Sequence, residues 1–482
     1  MINILVFGET IPYNNNKKKK KMAECKDSLK FHIAMFPWFA FGHMTPYLHL
    51  ANQLAERGHN ISFLLPKKAQ LQLQTSNLHP HLITFHAVAV PHVQGLPPGT
   101  ETASEIPILL NGLLATAMDL TRDQVEALLR VLKPDFVFYD FAYWIPAIAS
   151  EIGSKTIHHS VVSPSCMSLL TACKVPMDEA NDDQYLLQPP PGYPSSTVLL
   201  NRHEARTFLS YVSVEFGIGL KFYERLTTAR KECNAISIRT CQELEGPFCD
   251  YIGSQFGKPV LLTGPVLLPA EPAAKTRLET DGWGKWLDGF EPGSVVFCAF
   301  GSQCVLENDQ FQEIILGFEL TGLPFLVAAK PPSGLTSVEE AFPEGFEERV
   351  KGRGVVYGGW VDQPAILGHP SVGCFVSHCG FGSMWEALLS DNQIVLVPHS
   401  PDQILNARLM AQELKVAVEV ERDENGLFPR EKLCKAIKCV MDKESEEGGM
   451  VKKNHQKWKE TLTRQGFMSG YIDKFVQNLQ QL

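Results

Sequence analysis

The chain reads as an α/β protein made of two doubly wound, parallel-sheet halves in series. Three observations predict this. A strand, helix, strand succession opens the folded-looking sequence and recurs; the pattern restarts after a break rich in Pro, Ala and charge; and 482 residues exceed one ordinary hydrophobic core.

The elements follow in order. MINILVFG is apolar but too short for a signal-peptide core, and YNNNKKKKK follows where a small-residue cleavage site would stand. Residues 1–30 are therefore expected to be a disordered leader, with Met22 a second candidate start. FHIAMFPW (Phe31 to Trp38) is a buried strand, and Pro46 to Arg57 carries Leu48, Leu50, Leu54 and Ala55 at helical spacing before Gly58. ISFLLP is the next strand. Asp119 to Leu132 is expected as one helix, PDFVFYD as a strand with its polar residue at the carboxyl end, and KTIHHSVVS as another strand. Met177 to Ser210, rich in Pro, Asp and Tyr, is expected to be loop.

The first domain is assigned to residues 31–266, and the segment at 267–280 reads as a linker. Residues 281–451 form the second domain, with strands in SVVFCAFGS, PFLVAA, GVVYGGW, VGCFVS and QIVLVP. The last helical segment, Lys452 to Leu482, is expected to cross back onto the first domain. In open α/β sheets ligands bind outside the carboxyl ends of the strands, so candidate residues are sought there.

Composition narrows the partners. A formal charge of −9, with 44% hydrophobic and 20% charged residues, argues against nucleic-acid binding and against a polybasic membrane-surface protein. The twelve cysteines form no C-x-x-C pair, which fits reduced thiols in a cytoplasmic protein. No apolar run reaches the roughly 18 residues of a spanning helix, so no membrane insertion is expected. Small molecules are the expected partners of a monomer.

The richest stretch is SHCGFGSMWE, Ser377 to Glu386, between a hydrophobic strand and a helix expected to begin close to Ser383. Unpaired N–H groups and the positive helix end suit a diphosphate, beside His378 and Ser383, while Gly380 and Gly382 admit close backbone approach. Glu386, one turn on, suits a ribose diol; taken alone it is equally an exposed helix carboxylate. Trp360 at a strand exit can stack on a planar base or fill a core. Asp402 and Gln403 offer groups for sugar hydroxyls.

From Trp360 to Gln403 the chain resembles, over 44 residues, the signature box of plant family 1 UDP-sugar-dependent glycosyltransferases. Trp360, Gln363, Leu367, His369, Gly373, Phe375, His378, Cys379, Gly380, Ser383, Glu386, Pro398, Asp402 and Gln403 match. The resemblance implies a GT-B fold, two Rossmann-like domains facing across a cleft, over nearly all of Phe31 to Leu482. It implies that Trp360 stacks on uracil and Val361 offers backbone contacts, with Gln363 and Glu386 on ribose. His378, Ser383 and the backbone of Gly380, Phe381 and Gly382 would then hold the diphosphate, and Asp402 with Gln403 the donor sugar. Gly42 and Ser302 would also approach the donor.

FPWFAFGHMTP resembles the family's N-terminal motif, whose histidine, here His43, is the catalytic base. Asp140 matches its partner aspartate, which would fix the imidazole tautomer and stabilise the imidazolium. No cofactor and no metal are expected, UDP-sugar being a co-substrate. The chain has no Asp-x-Asp, and helix N–H groups with His378 and Ser383 can stabilise the departing diphosphate. An inverting, metal-independent displacement is expected.

Where most members have Trp-Asn after His-Cys-Gly, this chain has Phe381 and Gly382, and Asp391, Asn392 and Gln393 replace a usual Gly-Val-Pro. With FYDFAYW and the FPW start, these departures resemble the branch that extends sugar chains on flavonoid or other phenolic glycosides. Donors in that branch are UDP-glucose, UDP-rhamnose or UDP-xylose, and the acceptor is a glycoside. Its pocket is sought around Phe141, Trp144, Phe208 and Phe216, each of which could equally be core. Two rivals are weighed. A nicotinamide oxidoreductase needs a third glycine that GFGSMW lacks, and a non-catalytic UDP-sugar binder does not account for His43 with Asp140.

Overall fold

The computed structural model describes residues 29–172, 184–266, 282–301, 303–423 and 426–482. Nearly all of the expected leader, the segment at 267–280 and Ser302 lie outside the described residues. The first sheet holds β1 (His32–Phe36), β2 (Asn60–Pro66), β3 (Ile83–Val88), β4 (Phe136–Tyr139), β5 (Lys155–Ser160), β6 (Ala235–Ile238) and β7 (Val260–Leu262) in the order β3-β2-β1-β4-β5-β6-β7. The second holds β8 (Val295–Ala299), β9 (Phe325–Ala328), β10 (Gly354–Tyr357), β11 (Val372–Ser377), β12 (Gln393–Leu396) and β13 (Val418–Glu419) in the order β10-β9-β8-β11-β12-β13.

Every strand pairing is parallel. Helices cover both faces, which is why strands such as FVFY and VVFCA are apolar throughout instead of alternating. In each sheet the order of winding reverses once, between β1 and β4 in the first and between β8 and β11 in the second. A crevice opens where neighbouring crossovers part to opposite faces. Phe36 pairs with Tyr139, and Ala299 with Ser377, at the carboxyl ends of these two junctions.

Several elements differ from the sequence reading. The first helix is Phe41–Ala55, five residues longer at its start than the pattern from Pro46 implied, so His43 lies inside the first turn. Pro46 has no N–H to return to the Gly42 carbonyl, a loss that an otherwise apolar, buried helix face tolerates. The expected helix Asp119 to Leu132 is Arg122–Leu132, preceded by a separate helix Asn111–Asp119. Between them Thr121 Oγ1 donates to the Met118 carbonyl at 2.6 Å, which ends the first helix locally.

Met177 to Ser210 is not all loop, since Arg202–Val212 is a helix. Asn201 accepts from the Glu204 N–H and Glu204 accepts from the Asn201 N–H, a reciprocal cap. The segment from Lys452 is two helices, Glu446–Thr463 and Phe467–Gln481, parted at Gly466 with φ +81°. The terminal helix sets Ile472, Phe475, Val476 and Leu479 into the core beneath the first sheet with Met35 and Phe138.

The two halves also meet through side chains. Arg408 pairs with Glu204 at 2.9 Å, and Ser195 and Thr197 both donate to Glu413 at 2.6 Å.

Candidate functional site

His43 stands in the first turn after β1, and Asp140 is the residue that follows β4, the neighbouring strand at the winding reversal. His43 Nδ1 lies 2.7 Å from Asp140 Oδ2. The other carboxylate oxygen accepts from the Trp38 N–H at 2.7 Å and the Phe141 N–H at 2.6 Å. A carboxylate held this way only accepts, so the His43 proton resides on Nδ1 and Nε2 carries a lone pair. The His43 side chain is 18% exposed and that of Asp140 is nearly buried, so the pair opens on the His43 side. Gly42 beside it has open space where a Cβ would lie.

The residues of the second domain gather at the other reversal, between β8 and β11. The helix after β11 is Phe381–Leu389, two residues earlier than expected, and its first intrahelical bond runs from Met384 N to the Gly380 carbonyl. The N–H groups of Phe381, Gly382 and Ser383 therefore have no helical acceptor and face the crevice with the positive helix end. The Phe381 ring is buried against Trp385, so this residue offers its backbone.

His378 Nδ1 lies 3.1 Å from the Ala299 carbonyl, which can only accept, so here too Nε2 is the bare nitrogen. Burial lowers the His378 pKa, with the Ala299 carbonyl and Asp402 acting the other way. A Cβ on Gly380 would come within 2.6 Å of Nε2 and one on Gly301 within 2.8 Å, so both glycines make room for this ring. The left-handed residue of the turn is Cys379, with φ +65°, and Asn406 holds its carbonyl at 2.9 Å. Such a conformation costs a side-chain-bearing residue free energy and marks a constrained turn.

Gln363 Nε2 donates to Ser383 Oγ at 3.0 Å and to Glu386 Oε2, tying three expected donor residues into one network. Burial raises the Glu386 pKa, opposed first by the Gln363 bond and then by Arg239. Val361 is buried, whereas Trp360 is 71% exposed, a large indole with one face in solvent at a strand exit. Gln403 Oε1 accepts from the His399 and Ser400 N–H groups, which turns its NH2 outward, and Ser400 Oγ donates to Asp402 Oδ1 at 2.5 Å.

Aromatic rings wall the His43 side of the cleft. Phe141 lies 5.5 Å from the His43 ring and 5.4 Å from Phe216, and Trp38 is 5.3 Å from both phenylalanines. Trp144 is placed behind this wall, where its Nε1 donates to Asp119 at 3.1 Å. Asp119 in turn pairs with the fully buried Arg225, which donates to the carbonyls of Phe216 and Phe141 at 2.8 Å each. Phe208 is buried in the same core with no ring contact to Phe141. The wall's positions are thus fixed by a charged pair set behind it.

Three cleft residues escaped the sequence reading. Trp38 lay in the FPW motif, where its backbone bond to Asp140 has no sequence signal. Tyr211, partly exposed, packs edge-on against Phe222 at 5.2 Å near the end of the helix Arg202–Val212, most of which was expected to be loop. Arg239 sits one residue beyond β6. Among the described residues no three His, Cys, Asp or Glu side chains cluster as a metal site, and no helix is long and apolar enough to cross a membrane.

Comparison with known proteins adds an independent line. Residues 329–456 match the family model described as "UDP-glucoronosyl and UDP-glucosyl transferase". UDP-glycosyltransferase 79B6 of Arabidopsis thaliana is 58% identical over 453 residues, 94% of this chain and 98% of that protein. An anthocyanidin 3-O-glucoside 2'''-O-xylosyltransferase of the same plant is 56% identical over 461 residues, covering 95% and 98%. Among solved structures, Glycyrrhiza uralensis UGT73P12 complexed with glycyrrhetinic acid 3-O-monoglucuronide superposes with a TM-score of 0.78 at 22% identity, over 94% of this chain and 96% of that one. Arabidopsis thaliana UGT89C1 complexed with UDP-L-rhamnose gives 0.73 at 23%, over 94% and 100%.

Proposed function

Because the chain belongs to the plant family 1 UDP-glycosyltransferases, two-domain GT-B enzymes, we propose that it moves a sugar from UDP onto a sugar hydroxyl of a phenolic glycoside. The observation that carries the chemistry is the His43 to Asp140 hydrogen bond at 2.7 Å, which leaves a basic Nε2 on the open side of the pair. The acceptor reading is supported by the 56% identity to a transferase named for an anthocyanidin glucoside.

In this reading the donor lies against the second domain. Uracil stacks on Trp360, and ribose hydroxyls meet Glu386 and Gln363. The diphosphate meets the N–H groups of Phe381 to Ser383, with Ser383 Oγ and His378 beside it. Asp402 and the outward NH2 of Gln403 address the sugar. The acceptor hydroxyl loses its proton to His43 Nε2 as its oxygen bonds the anomeric carbon from the side opposite UDP. The anomeric C–O bond breaks, and its electron pair passes to the diphosphate. Attack from the opposite side inverts the configuration. Asp140 keeps the imidazolium oriented while it is charged.

Donors with a rhamnosyl, xylosyl or glucosyl group share the UDP moiety that most of these contacts address, and a pentose is favoured by the xylosyltransferase relative. Metal independence is supported by the helix N–H groups and the Ser383 hydroxyl set where charge develops. The lack of a disulfide among the described residues supports a reducing cytoplasmic compartment. Both catalytic candidates and the donor residues lie in one chain, which supports a monomer.

The test is a matrix of UDP-glucose, UDP-rhamnose and UDP-xylose against a phenolic aglycone and its glucoside, with EDTA in half the reactions and products read by mass. Addition of one sugar to the glucoside, with or without EDTA, is expected. Conversion of the aglycone alone would overturn the sugar-on-sugar reading in favour of direct aglycone glucosylation, and activity lost in EDTA and restored by a divalent ion would overturn metal independence.

A further inference from the structure

One cation reaches toward the glycine-rich helix from the opposite domain. Arg239 follows β6, whose carboxyl end faces the cleft, and its Nε donates to the Pro265 carbonyl at 2.7 Å, which sets the plane of the guanidinium. The residue is only 3% exposed, yet neither terminal nitrogen donates to any acceptor among the described residues. A nearly buried cation whose terminal N–H groups meet no protein acceptor leaves those groups open to solvent or to a ligand.

The direction of the side chain identifies the ligand's place. A Cβ added to Gly382 would lie 3.9 Å from Arg239 Nη1, so the guanidinium stands over the second residue of the helix Phe381–Leu389. Gly382 thus leaves, in the first turn of that helix, the space toward which an arginine of the other domain extends. The nearest carboxylate, Glu386, attracts Arg239 through space but makes no hydrogen bond to it. Glu386, one turn further, is hydrogen-bonded to Gln363, and burial holds His49 and His159 neutral.

We propose that Arg239 is the first domain's contribution to the donor site, donating its two terminal nitrogens to the diphosphate of the UDP-sugar from the side opposite the helix N–H groups. This rests on the UDP-sugar reading given above. Arginine is suited to the task, since its planar fork matches phosphate oxygens in pairs and its charge persists at neutral pH. The diphosphate is then held between domains, by backbone N–H groups of one and a guanidinium of the other. As the sugar departs and negative charge gathers on the leaving oxygen, the same contact strengthens, so Arg239 also favours bond breaking.

Titration calorimetry with UDP and with uridine, on wild type, R239Q and R239K, separates a phosphate contact from a packing role. Wild type is expected to bind both ligands. In R239Q the affinity for UDP should fall about tenfold or more, the size of a lost charge-assisted bond. Uridine affinity should stay within twofold, and R239K should fall between wild type and R239Q for UDP. Unchanged UDP binding by R239Q would overturn the proposal. So would an equal loss for UDP and uridine, which would assign Arg239 to supporting Glu386 at the ribose. Wild type that bound no UDP would instead overturn the donor reading on which the proposal rests.

Discussion

Asp140 accepts three hydrogen bonds, two from backbone N–H groups on its own side of the cleft and one from His43. The backbone pair fixes the carboxylate, and the carboxylate fixes the ring, so the imidazole proposed as the base is aligned before any substrate arrives. Asp140→Asn can keep the backbone contacts through its remaining oxygen, but an amide nitrogen cannot accept the His43 Nδ1 proton. The ring should adopt the other tautomer and lose its basic Nε2. Steady-state kinetics should show kcat reduced on the order of 10³-fold or more, with UDP binding by calorimetry unchanged. At this scale the pair was legible, because Asp140 ends a strand and His43 opens the helix after one, each inside a recognisable motif. Arg239 was not, since a single basic residue after AISI has the same sequence appearance whether it faces water or a ligand.

The helix Gln242–Phe256 shows how much an element can conceal. Its residues look continuous, yet Glu245 has φ −131° and ψ 18°, and Pro247 lies within the span, so two helical pieces join at a kink. At that kink the Glu245 carboxyl is fully buried, held by Thr240 Oγ1 at 2.7 Å, and burial pushes its pKa up to about 8. An unfolded chain releases this proton near the ordinary value of about 4.5, whereas the folded protein keeps it up to about pH 8, so stability falls as pH rises between the two. The slope follows from roughly 1.4 kcal/mol per unit of pKa difference. Glu245→Gln should flatten the decline in thermal midpoint between pH 5 and 8 and raise the midpoint at pH 8, as read by calorimetry. Sequence periodicity revealed strands such as β4 and β8, which are apolar on both faces, but missed β3, β6, β7 and β13, which are short or carry polar residues. It revealed helix boundaries less well, as at Phe41 and Arg202, where the starts depend on backbone geometry and on an Asn201 to Glu204 cap inside a stretch whose composition resembled loop.

At the scale of the whole molecule, the restart of the pattern at Ser294 was enough to predict two halves, because each half repeats the same winding reversal. The way they are held together was less visible. Glu204, which caps its own helix, also pairs with Arg408 of the other half, a contact across 204 positions of sequence that no local pattern encodes. The terminal helix adds a second tie, with Phe475 buried against Phe138 at 6.1 Å between ring centroids. Phe475→Ala should destabilise the first domain by about 3–5 kcal/mol, lowering the midpoint of the first unfolding transition in urea. The opposite-domain placement of this helix also has a consequence for synthesis. When a ribosome has completed β7, all seven strands of the first sheet exist, but the apolar floor around Met35 and Phe138 still lacks the residues that cover it. The nascent first domain must wait through roughly two hundred further residues, at about 5–20 per second, before Phe467–Gln481 emerges to close it. Its exposure to chaperones and to mispairing is therefore set by the translation time of its neighbour.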